Sequence, residues 1–454
     1  MMNIIKKIII LLCILVFIAC EPGNLKIVNN GSGGVITSVS GRIDCGADCE
    51  EDYDESTIEI LTAKPDSGYG FWGWTGDCSG DDSCIVSLNR ISGDKKVTAV
   101  FRKNDYSAIE VITQNGGRLD YHHENNLIIH DRLGEDGFYD VYIMNADGTN
   151  DSCITCNHPD LPAEVHIGQP EWHPGMRYFV FQVAKQGSFI QKLSWLSSPG
   201  IGVYNDLWLF DLQTNRAEIL REVPKGMKHG VLHPHFNKLG TQVSWSEMKK
   251  IFIPFWTGRE LGGWELMIAD FDVNTDFPSL KNIHSHTPGD EGVWYENHGF
   301  DPTGKKLIFT SNFRRGSSAL LADIYTLDIE SGETMQLTTE AYNEHAGFSP
   351  DSKKIVWMST REPGPSYLLL SGGTDYWMMN SDGSNKQRIT FLNNPFLSSI
   401  FQDDKENTPE FIVADLAWKD DSKSFYGYLQ VTNNATTGLM SLNKDWIIRV
   451  IIPE

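Results

Sequence analysis

Histidine is the residue type whose placement in this chain points most clearly to chemistry. The chain has 13 histidines, and several come shortly before a recurring aromatic residue: His233 and His235 before Phe236, His298 before Phe300, and His345 before Phe348. Glu296 and Glu344 each lie four positions before the same aromatic residues. Neutral imidazoles and carboxylates in a narrow polar space can hold a divalent first-row metal ion or act as a general base. A second interpretation stays open, in which these histidines only hydrogen-bond neighbouring backbone.

The histidines recur because the sequence around them recurs. The clearest copies are residues 300–309 and 348–357, each with an aromatic residue, a proline-containing turn and a β-rich run. Looser copies begin at Trp172, Phe236 and Trp418, and a degenerate copy begins at Tyr121. Intervals of about 50 to 70 residues with several short strands each are typical of propeller blades. A single blade cannot bury both faces, so the copies are expected to pack around an axis.

A second repeated phrase follows the first one in each blade. Residues 141–150 and 376–385 both alternate aromatic and aliphatic positions and then contain Asn-x-Asp-Gly, which favours a tight hairpin. The pairing of the two phrases resembles the TolB-like propeller repeat over residues 108–454, and the resemblance implies six blades of four antiparallel strands. We therefore predict an all-β chain, with a six-bladed β-propeller at residues 105–454 preceded by a small disulfide-bonded β-rich module.

In a propeller, the histidines that precede the aromatic residues are expected to lie near one point. The strand that leads into each blade runs beside the central channel, so equivalent positions of successive blades converge on the axis. However, His298 lies two residues before its aromatic residue and His345 lies three before. Side chains alternate along a regular strand, so the two cannot both face the axis if their strands are regular and in register. Convergence of His233, His298 and His345, with Glu296 or Glu344 nearby, is thus the hypothesis that a structure must test.

The beginning of the chain predicts export. Lys6 and Lys7 precede an apolar run that ends at Ala19, directly before Cys20, and the run has the length of a signal-peptide core. The pattern resembles a bacterial lipoprotein signal, which implies removal of residues 1–19 and a lipid on Cys20. We expect a lipid anchor in the cell envelope, at the outer membrane or the cell surface. The alternative, a buried helix with an ordinary cysteine, lacks an amphipathic pattern.

The other cysteines suggest disulfides. Without Cys13 and Cys20, six remain: Cys45, Cys49, Cys78, Cys84, Cys153 and Cys156. An even set at short spacings in an exported chain favours bridges between neighbours in sequence. A zinc site built from Cys45, Cys49, Cys153 and Cys156 is the alternative, and the long separation between the two pairs disfavours it.

Residues 20–104 form the smaller predicted domain. Short alternating strands separated by Gly, Pro and Asp turns, with Gly68-Tyr69-Gly70-Phe71-Trp72-Gly73-Trp74 and Gly76-Asp77-Cys78, resemble the divergent internalin-type B repeat of bacterial surface proteins. The resemblance implies a spacer or an adhesive unit.

Composition and motifs limit the functions. A net charge of −22 disfavours nucleic acid as a partner and favours neutral or cationic ligands. The sequence has no Gly-x-Ser-x-Gly elbow and no appended hydrolase domain, so a peptidase lacks its catalytic half. We therefore expect a non-catalytic protein that binds an envelope protein or glycan. The alternative is a metal-dependent polysaccharide lyase or hydrolase, because the metal-dependent oligogalacturonate lyases share a related propeller with channel histidines.

Overall fold

The structure of the protein is a computed structural model. The structure describes these residues: 23–30, 33–45, 49–53, 56–66, 69–79, 83–88, 93–103, 108–187, 195–250, 262–289, 293–314, 321–360, 373–393, 410–432 and 444–452. The predicted signal segment and Cys20 lie outside them. The chain divides into two compact units, Met1–Asp105 and Tyr106–Glu454. No helix among the described residues is long and apolar enough to cross a bilayer.

The first unit consists of short strands in two sheets. Its strands are β1 (Gly23–Asn30), β2 (Gly34–Ser38), β3 (Asp44–Cys45), β4 (Glu50–Tyr53), β5 (Thr57–Pro65), β6 (Tyr69–Gly76), β7 (Cys84–Leu88) and β8 (Lys95–Lys103). The sheet orders are β4-β1-β8-β6 and β3-β2-β5-β7, and the β1–β8 pair is parallel. Strand β7 alternates buried and exposed residues along its length, as expected of a strand with one face in a core.

Two disulfides lie in this unit. Cys45 pairs with Cys49 and Cys78 pairs with Cys84, with Cα–Cα distances of 4.9 and 5.9 Å. Cys45 and Cys84 are each 1% exposed and belong to the same apolar core as Trp74. Small domains with a limited core gain stability from such staples.

The second unit is a propeller of six four-stranded sheets. Blade 1 has β10 (Leu119–His122), β11 (Leu127–Leu133), β12 (Tyr139–Asn145) and β13 (Ser152–Cys153); blade 2 has β14 (Ile167–Trp172), β15 (Tyr178–Ala184), β16 (Asn205–Asp211) and β17 (Arg216–Arg221); blade 3 has β18 (Gly230–Phe236), β19 (Gln242–Lys250), β20 (Gly263–Asp272) and β21 (Ser279–His286). Blade 4 has β22 (Tyr295–Phe300), β23 (Lys306–Ser311), β24 (Asp323–Asp328) and β25 (Thr334–Gln336); blade 5 has β26 (Asn343–Phe348), β27 (Lys354–Ser359), β28 (Asp375–Asn380) and β29 (Gln387–Arg388). The predicted all-β fold with a six-bladed propeller is confirmed.

Blade 6 closes the ring with strands from both ends of the unit. It contains β30 (Glu410–Trp418), β31 (Ser424–Thr432) and β32 (Lys444–Ile451), and its fourth strand is β9 (Ala108–Thr113), which pairs antiparallel with β32. This pairing completes the last blade with the first strand of the unit and so closes the ring.

Apolar layers hold neighbouring blades together. Between blades 1 and 2, Ile129 and Val141 pack in one cluster with Trp172 and Phe179, and the stacked rings of Phe179 and Phe210 lie 5.0 Å apart. Full burial of one such side chain stabilises the fold by about 1.5–3 kcal/mol. The recurring aromatic residues, from Tyr121 to Trp418, lie at or near the ends of the innermost strands. The sequence repeat is therefore a repeat of blade entries.

Candidate metal centre in the propeller channel

Side chains from three successive blades meet at the axis. His233 of blade 3, Glu296 and His298 of blade 4, and His345 of blade 5 each place one ligand atom within 4.8 Å of the others. The three imidazole ring centres lie 5.3 to 5.4 Å apart. The side chains of His233 and Glu296 are 2% and 3% exposed. We call these four residues the channel cluster.

Irregular inner strands explain why the unequal offsets still converge. The pairing register shifts between Leu232 and His235 in blade 3, between Asn297 and Phe300 in blade 4, and between Glu344 and Gly347 in blade 5. Such bulges re-aim side chains and break the alternation of a regular strand. The condition of regular strands in register therefore does not hold, and His298 and His345 reach the same point.

The backbone conformations mark the same bulges. His233 has φ of 49° and His345 has φ of 47°, in the left-handed region, whereas in blade 4 the positive φ of 94° falls on Gly299. The left-handed region is uncommon for residues other than glycine, and such residues cluster at functional sites. In blades 3 and 5 the left-handed residue lies three positions before the aromatic residue, and in blade 4 it lies one position before. The axial histidine of blade 4 is accordingly two positions before its aromatic residue instead of three.

Amides of neighbouring blades hold His233 in this conformation. Its backbone N–H donates to Oε1 of Gln169 at 3.1 Å, and its carbonyl accepts from Nδ2 of Asn297 at 2.8 Å. Nδ2 of Asn297 also donates to Ser244 at 3.1 Å. The orientation of His233 is thus fixed from blades 2 and 4 together.

The channel cluster has its own polar partners. Nε2 of His298 lies 2.8 Å from Oγ1 of Thr310, which leaves Nδ1 to face the cluster. Nε2 of His233 lies 2.8 Å from a Glu296 oxygen, yet it has no hydrogen-bond partner of acceptable geometry among the described residues. A buried imidazole nitrogen and a carboxylate oxygen at this distance without a hydrogen bond are placed as two ligands of one cation are.

Charges around the cluster are distributed unevenly. Burial lowers the pKa of His233 to about 3, and burial together with the nearby imidazoles lowers the pKa of His298. Burial opposes the charge on His345 as well, but Asp415 and Glu344 outweigh it and raise its pKa well above the usual value. Burial and the charge of Glu344 raise the pKa of Glu296. Burial therefore favours the neutral, cation-binding form of His233 and His298, whereas the neighbouring carboxylates favour the charged form of His345, whose ring must lose its proton to bind a cation.

Two carboxylates border the cluster. Oδ1 of Asp415, from blade 6, lies 3.2 Å from Nδ1 of His345 and 3.4 Å from Nδ1 of His233. Oε2 of Glu344 lies 3.4 Å from Nε2 of His345 and accepts a 2.6 Å hydrogen bond from the hydroxyl of Tyr342. These groups orient His345, as carboxylates commonly do for metal-binding histidines.

His235 takes a different place from the other histidines predicted for this site. Its Nδ1 lies 3.1 Å from Oε1 of Glu171 in blade 2, and its ring centre is 6.3 Å from that of His233. Burial opposes the charge of His235, but Glu171 outweighs it and raises the pKa. The His235–Glu171 pair therefore lies beside the channel cluster and does not belong to it.

The cluster faces a cavity of about 450 Å³. All six blades line it, and each contributes its recurring aromatic residue: Tyr121, Trp172, Phe236, Phe300, Phe348 and Trp418. Its carboxylates are Asp120, Glu124, Glu171, Asp301, Asp415 and Asp420, whereas Lys238 is the one lysine or arginine that the described residues contribute to the lining. The cavity is therefore acidic and aromatic, with the channel histidines on its wall.

Sequence reasoning did not find the residues that support the cluster. Tyr342 and Thr310 belong to no motif, and their roles depend on contacts between strands. One signal was available: aligning the blades on the aromatic residue places Arg118, Gln169, His233, Asn297, His345 and Asp415 at the same position, three residues earlier. Polar residues in all six copies of one position indicate a channel-facing ring.

A family model matches one part of the chain. Residues 25–105 match the family described as the divergent InlB B-repeat domain. No curated protein sequence matches the chain at a significant level.

The chain also matches solved structures. TolB from Acinetobacter baumannii is 17% identical, with a TM-score of 0.42, over 75% of this chain and 65% of that one. An oligogalacturonate lyase solved in complex with manganese is 13% identical, with a TM-score of 0.43, over 77% of this chain and 94% of that one. The propeller domain of the Trilobed protease from Pyrococcus furiosus is 14% identical, with a TM-score of 0.36, over 70% of this chain and 81% of that one. The chain thus spans less than two thirds of the Acinetobacter TolB.

Proposed function

We propose that the propeller binds a divalent first-row metal ion and uses the cavity above it to bind a ligand. The observation that carries this proposal is the channel cluster, in which three imidazoles and one carboxylate from three blades place ligand atoms within 4.8 Å of one another. Structural hydrogen bonding does not require three imidazoles to meet, since His298 has Thr310 and His345 has Glu344 within their own blades. One cation bound by all three imidazoles would explain why they meet.

The residues fit such an ion. His233, His298 and His345 would supply nitrogen, and Glu296 would supply oxygen, a donor set that suits zinc, iron, manganese, cobalt or nickel. Bonds of about 2.0–2.2 Å require ligand atoms within about 4 Å of one another, so the cluster would contract slightly on binding. The bound ion would act as a Lewis acid toward an oxygen of the ligand. The residues that line the cavity would position that ligand.

The cavity favours a ligand that is small and not anionic. Its volume of about 450 Å³ is in the range of small-molecule sites. The lining carboxylates disfavour a polyanion, whereas hydroxyl groups of a neutral glycan or a cationic group find acceptors there. A recessed pocket also suits the end of a glycan better than a flat protein surface. A neutral envelope glycan is accordingly the partner that this geometry supports best.

Export and a lipid on Cys20 complete the proposal, with the protein tethered at the cell envelope. Cys20→Ala should move the protein from the membrane fraction to the soluble fraction of the cells that make it. A Cys20→Ala protein that stays in the membrane fraction would contradict the lipid anchor and would have no bearing on the proposed metal site.

Metal binding is tested on the purified chain. Calorimetric titration of chelator-treated protein with Zn²⁺ and with Mn²⁺ should show one site, and His298→Ala should lose it. His284→Ala is the matched control, since His284 lies exposed on the outer strand of blade 3. Equal binding by His298→Ala and the control, or no binding by the unaltered protein, would overturn the proposal.

A metal-dependent polysaccharide lyase or hydrolase is the second candidate, and one observation favours it. The His235–Glu171 pair borders the cavity beside the channel cluster and has the composition of a general base with its orienting carboxylate. Incubation of the metal-loaded protein with neutral and acidic glycans, followed by assays for unsaturated products and new reducing ends, tests catalysis. Products that form with the metal and not in His235→Ala would support the enzyme, and binding without products would support the non-catalytic role.

A further inference from the structure

The third disulfide differs from the other two in its surroundings. Cys153 and Cys156 pair with a Cα–Cα distance of 5.7 Å at the outer edge of blade 1, where β13 follows β12. Cys156 is exposed and Cys153 is half-buried. In contrast, the disulfides of the first unit each place one cysteine, Cys45 or Cys84, at 1% exposure in an apolar core.

Polar groups of blade 1 surround the two sulfurs. The backbone N–H of Cys156 donates to Sγ of Cys153 at 3.0 Å. The hydroxyl of Tyr142 lies 3.6 Å from Sγ of Cys156. A carboxylate oxygen of Asp140 lies within 4.8 Å of both sulfurs. Cys153 thus has a hydrogen-bond donor on its sulfur, Cys156 is accessible, and a carboxyl group is nearby. A disulfide with a purely structural role needs none of these three features.

We propose that Cys153–Cys156 is a thiol–disulfide exchange site that accepts two electrons from a dithiol. Exchange proceeds through attack of a thiolate on an accessible sulfur and is faster when the departing thiolate is stabilised. Exposure makes Cys156 the sulfur that is attacked. Cys153 is the leaving sulfur, and the N–H of Cys156 stabilises its negative charge.

The reaction balances with the dithiol as its only co-reactant. A thiolate of the dithiol bonds to Sγ of Cys156, the Cys153–Cys156 bond breaks, and its electron pair goes to Sγ of Cys153. Asp140 supplies the proton that makes Cys153 a thiol. The second thiol of the reagent loses its proton to water, and the resulting thiolate attacks the reagent's own sulfur in the mixed disulfide. This attack releases Cys156 as a thiolate, which takes a proton from water. The dithiol is oxidised to a disulfide, and Cys153 and Cys156 are reduced to two thiols.

The environment of Asp140 suits proton donation. Burial raises the pKa of its carboxyl and the charge of Asp136 adds to this effect, while a 2.7 Å hydrogen bond from Thr155 opposes it. Arg132 faces Asp140 across the β11–β12 pair, but its guanidinium is engaged with Asp151 and with the ring of Tyr142. Asp140 therefore keeps a proton to a higher pH than an exposed aspartate.

Partial reduction of the intact protein tests the proposal, with the disulfides of the first unit as internal controls. The folded, full chain is exposed to dithiothreitol for short times, alkylated, and mapped by mass spectrometry. Cys153–Cys156 should open on the order of tenfold faster than Cys45–Cys49 and Cys78–Cys84. Equal rates, or Cys153–Cys156 opening last, would show a structural staple and overturn the proposal.

A matched pair of variants tests the part played by Asp140. Asp140→Asn should slow the opening several-fold, and Asp147→Asn, in the exposed β12–β13 turn, should leave it unchanged. After correction for the thiolate fraction of dithiothreitol, the unaltered rate should fall as pH rises through the titration of Asp140, and Asp140→Asn should abolish this dependence. An unchanged pH profile in Asp140→Asn would refute proton transfer from Asp140. If Asp140→Asn does not fold, the comparison of the three disulfides decides the proposal alone.

Discussion

Two sets of histidines in one propeller have different environments. The channel set, His233, His298 and His345, lies before the recurring aromatic residues and meets at the axis. The seam set, His122 and His173, lies directly after such residues. Nε2 of His122 donates to the carbonyl of Pro174 in the next blade at 3.0 Å, and Nε2 of His173 donates to the carbonyl of Gly240 at 3.1 Å.

The difference lies in where each set falls along the blade entry. Seam histidines lie at the turn that follows the inner strand, where the nearest acceptors are carbonyls of the neighbouring blade. Channel histidines lie at the bulge, where a left-handed residue turns the strand's side chains toward the axis. The same residue type is therefore structural or available for ligand binding according to a shift of a few positions. Substitutions in the channel set and in the seam set should therefore have different effects.

The largest effect is expected from removing a channel histidine. His298→Ala or His345→Ala should weaken metal binding by more than about 100-fold, because loss of a group that merely orients a ligand already costs roughly 10–100-fold. His122→Ala should not change metal affinity. Calorimetric titration with Zn²⁺ measures all three proteins, and equal losses in both sets would show that the distinction is wrong.

A smaller effect is expected from the groups that orient the cluster. Thr310→Val removes the partner of His298, and Tyr342→Phe removes the hydroxyl that donates to Glu344. Each should weaken metal binding by about 10–100-fold while the protein stays folded. Thr303→Val is the control for Thr310→Val, since Thr303 lies in a turn of the same blade and hydrogen-bonds Asp301. Unchanged affinity in both test variants would mean that the channel histidines need no support.

The seam set should affect stability instead of binding. His173→Ala removes the hydrogen bond to Gly240 and ring contacts with Phe236, whose centre lies 4.9 Å away. Loss of one hydrogen bond and one aromatic contact should lower the free energy of unfolding by about 1–3 kcal/mol. Urea denaturation in the presence of chelator measures this loss. A His173→Ala protein with unaltered stability but weakened metal binding would reverse the assignment of the two sets.

The smallest effect is the pH dependence of that stability loss. Burial lowers the pKa of His173 below 6.5, and the hydrogen bond to Gly240 only partly offsets this. As pH falls below about 6.5, the unfolded chain binds a proton that the folded chain resists, so the stabilisation by His173 is lost. The difference in stability between the unaltered protein and His173→Ala should therefore be smaller at pH 5 than at pH 8. A difference that grows on acidification would show that the folded protein favours the charged ring.

The sequence predicted the fold better than it predicted the site. Phe300 and Phe348, each followed by a turn and a strand, were enough to identify blades, because a blade entry requires that local pattern. The pairing of β9 with β32 was not visible, since two distant strands without a shared motif form it. At the site, Glu296 and His298 were named as candidates, but their convergence with His345 depends on bulges that offsets along the sequence do not encode.

His235 is a residue that the sequence predicted for the site but that the bulge directs away from it. It follows His233 by two residues, and regular alternation would place both on one face. The register shift in β18 instead directs His235 to Glu171. Residue type and spacing thus identify which strands meet at the axis, and the bulges decide which side chains reach it.

The central claim is that His233, Glu296, His298 and His345 bind one metal ion. Anomalous diffraction from crystals soaked in Zn²⁺ or Mn²⁺, collected above and below the absorption edge of the metal, locates the ion directly. We predict one strong peak within about 2.0–2.3 Å of three imidazole nitrogens and one Glu296 oxygen. A fully soaked crystal with no peak at the axis, or with peaks only at surface carboxylates, would contradict the claim.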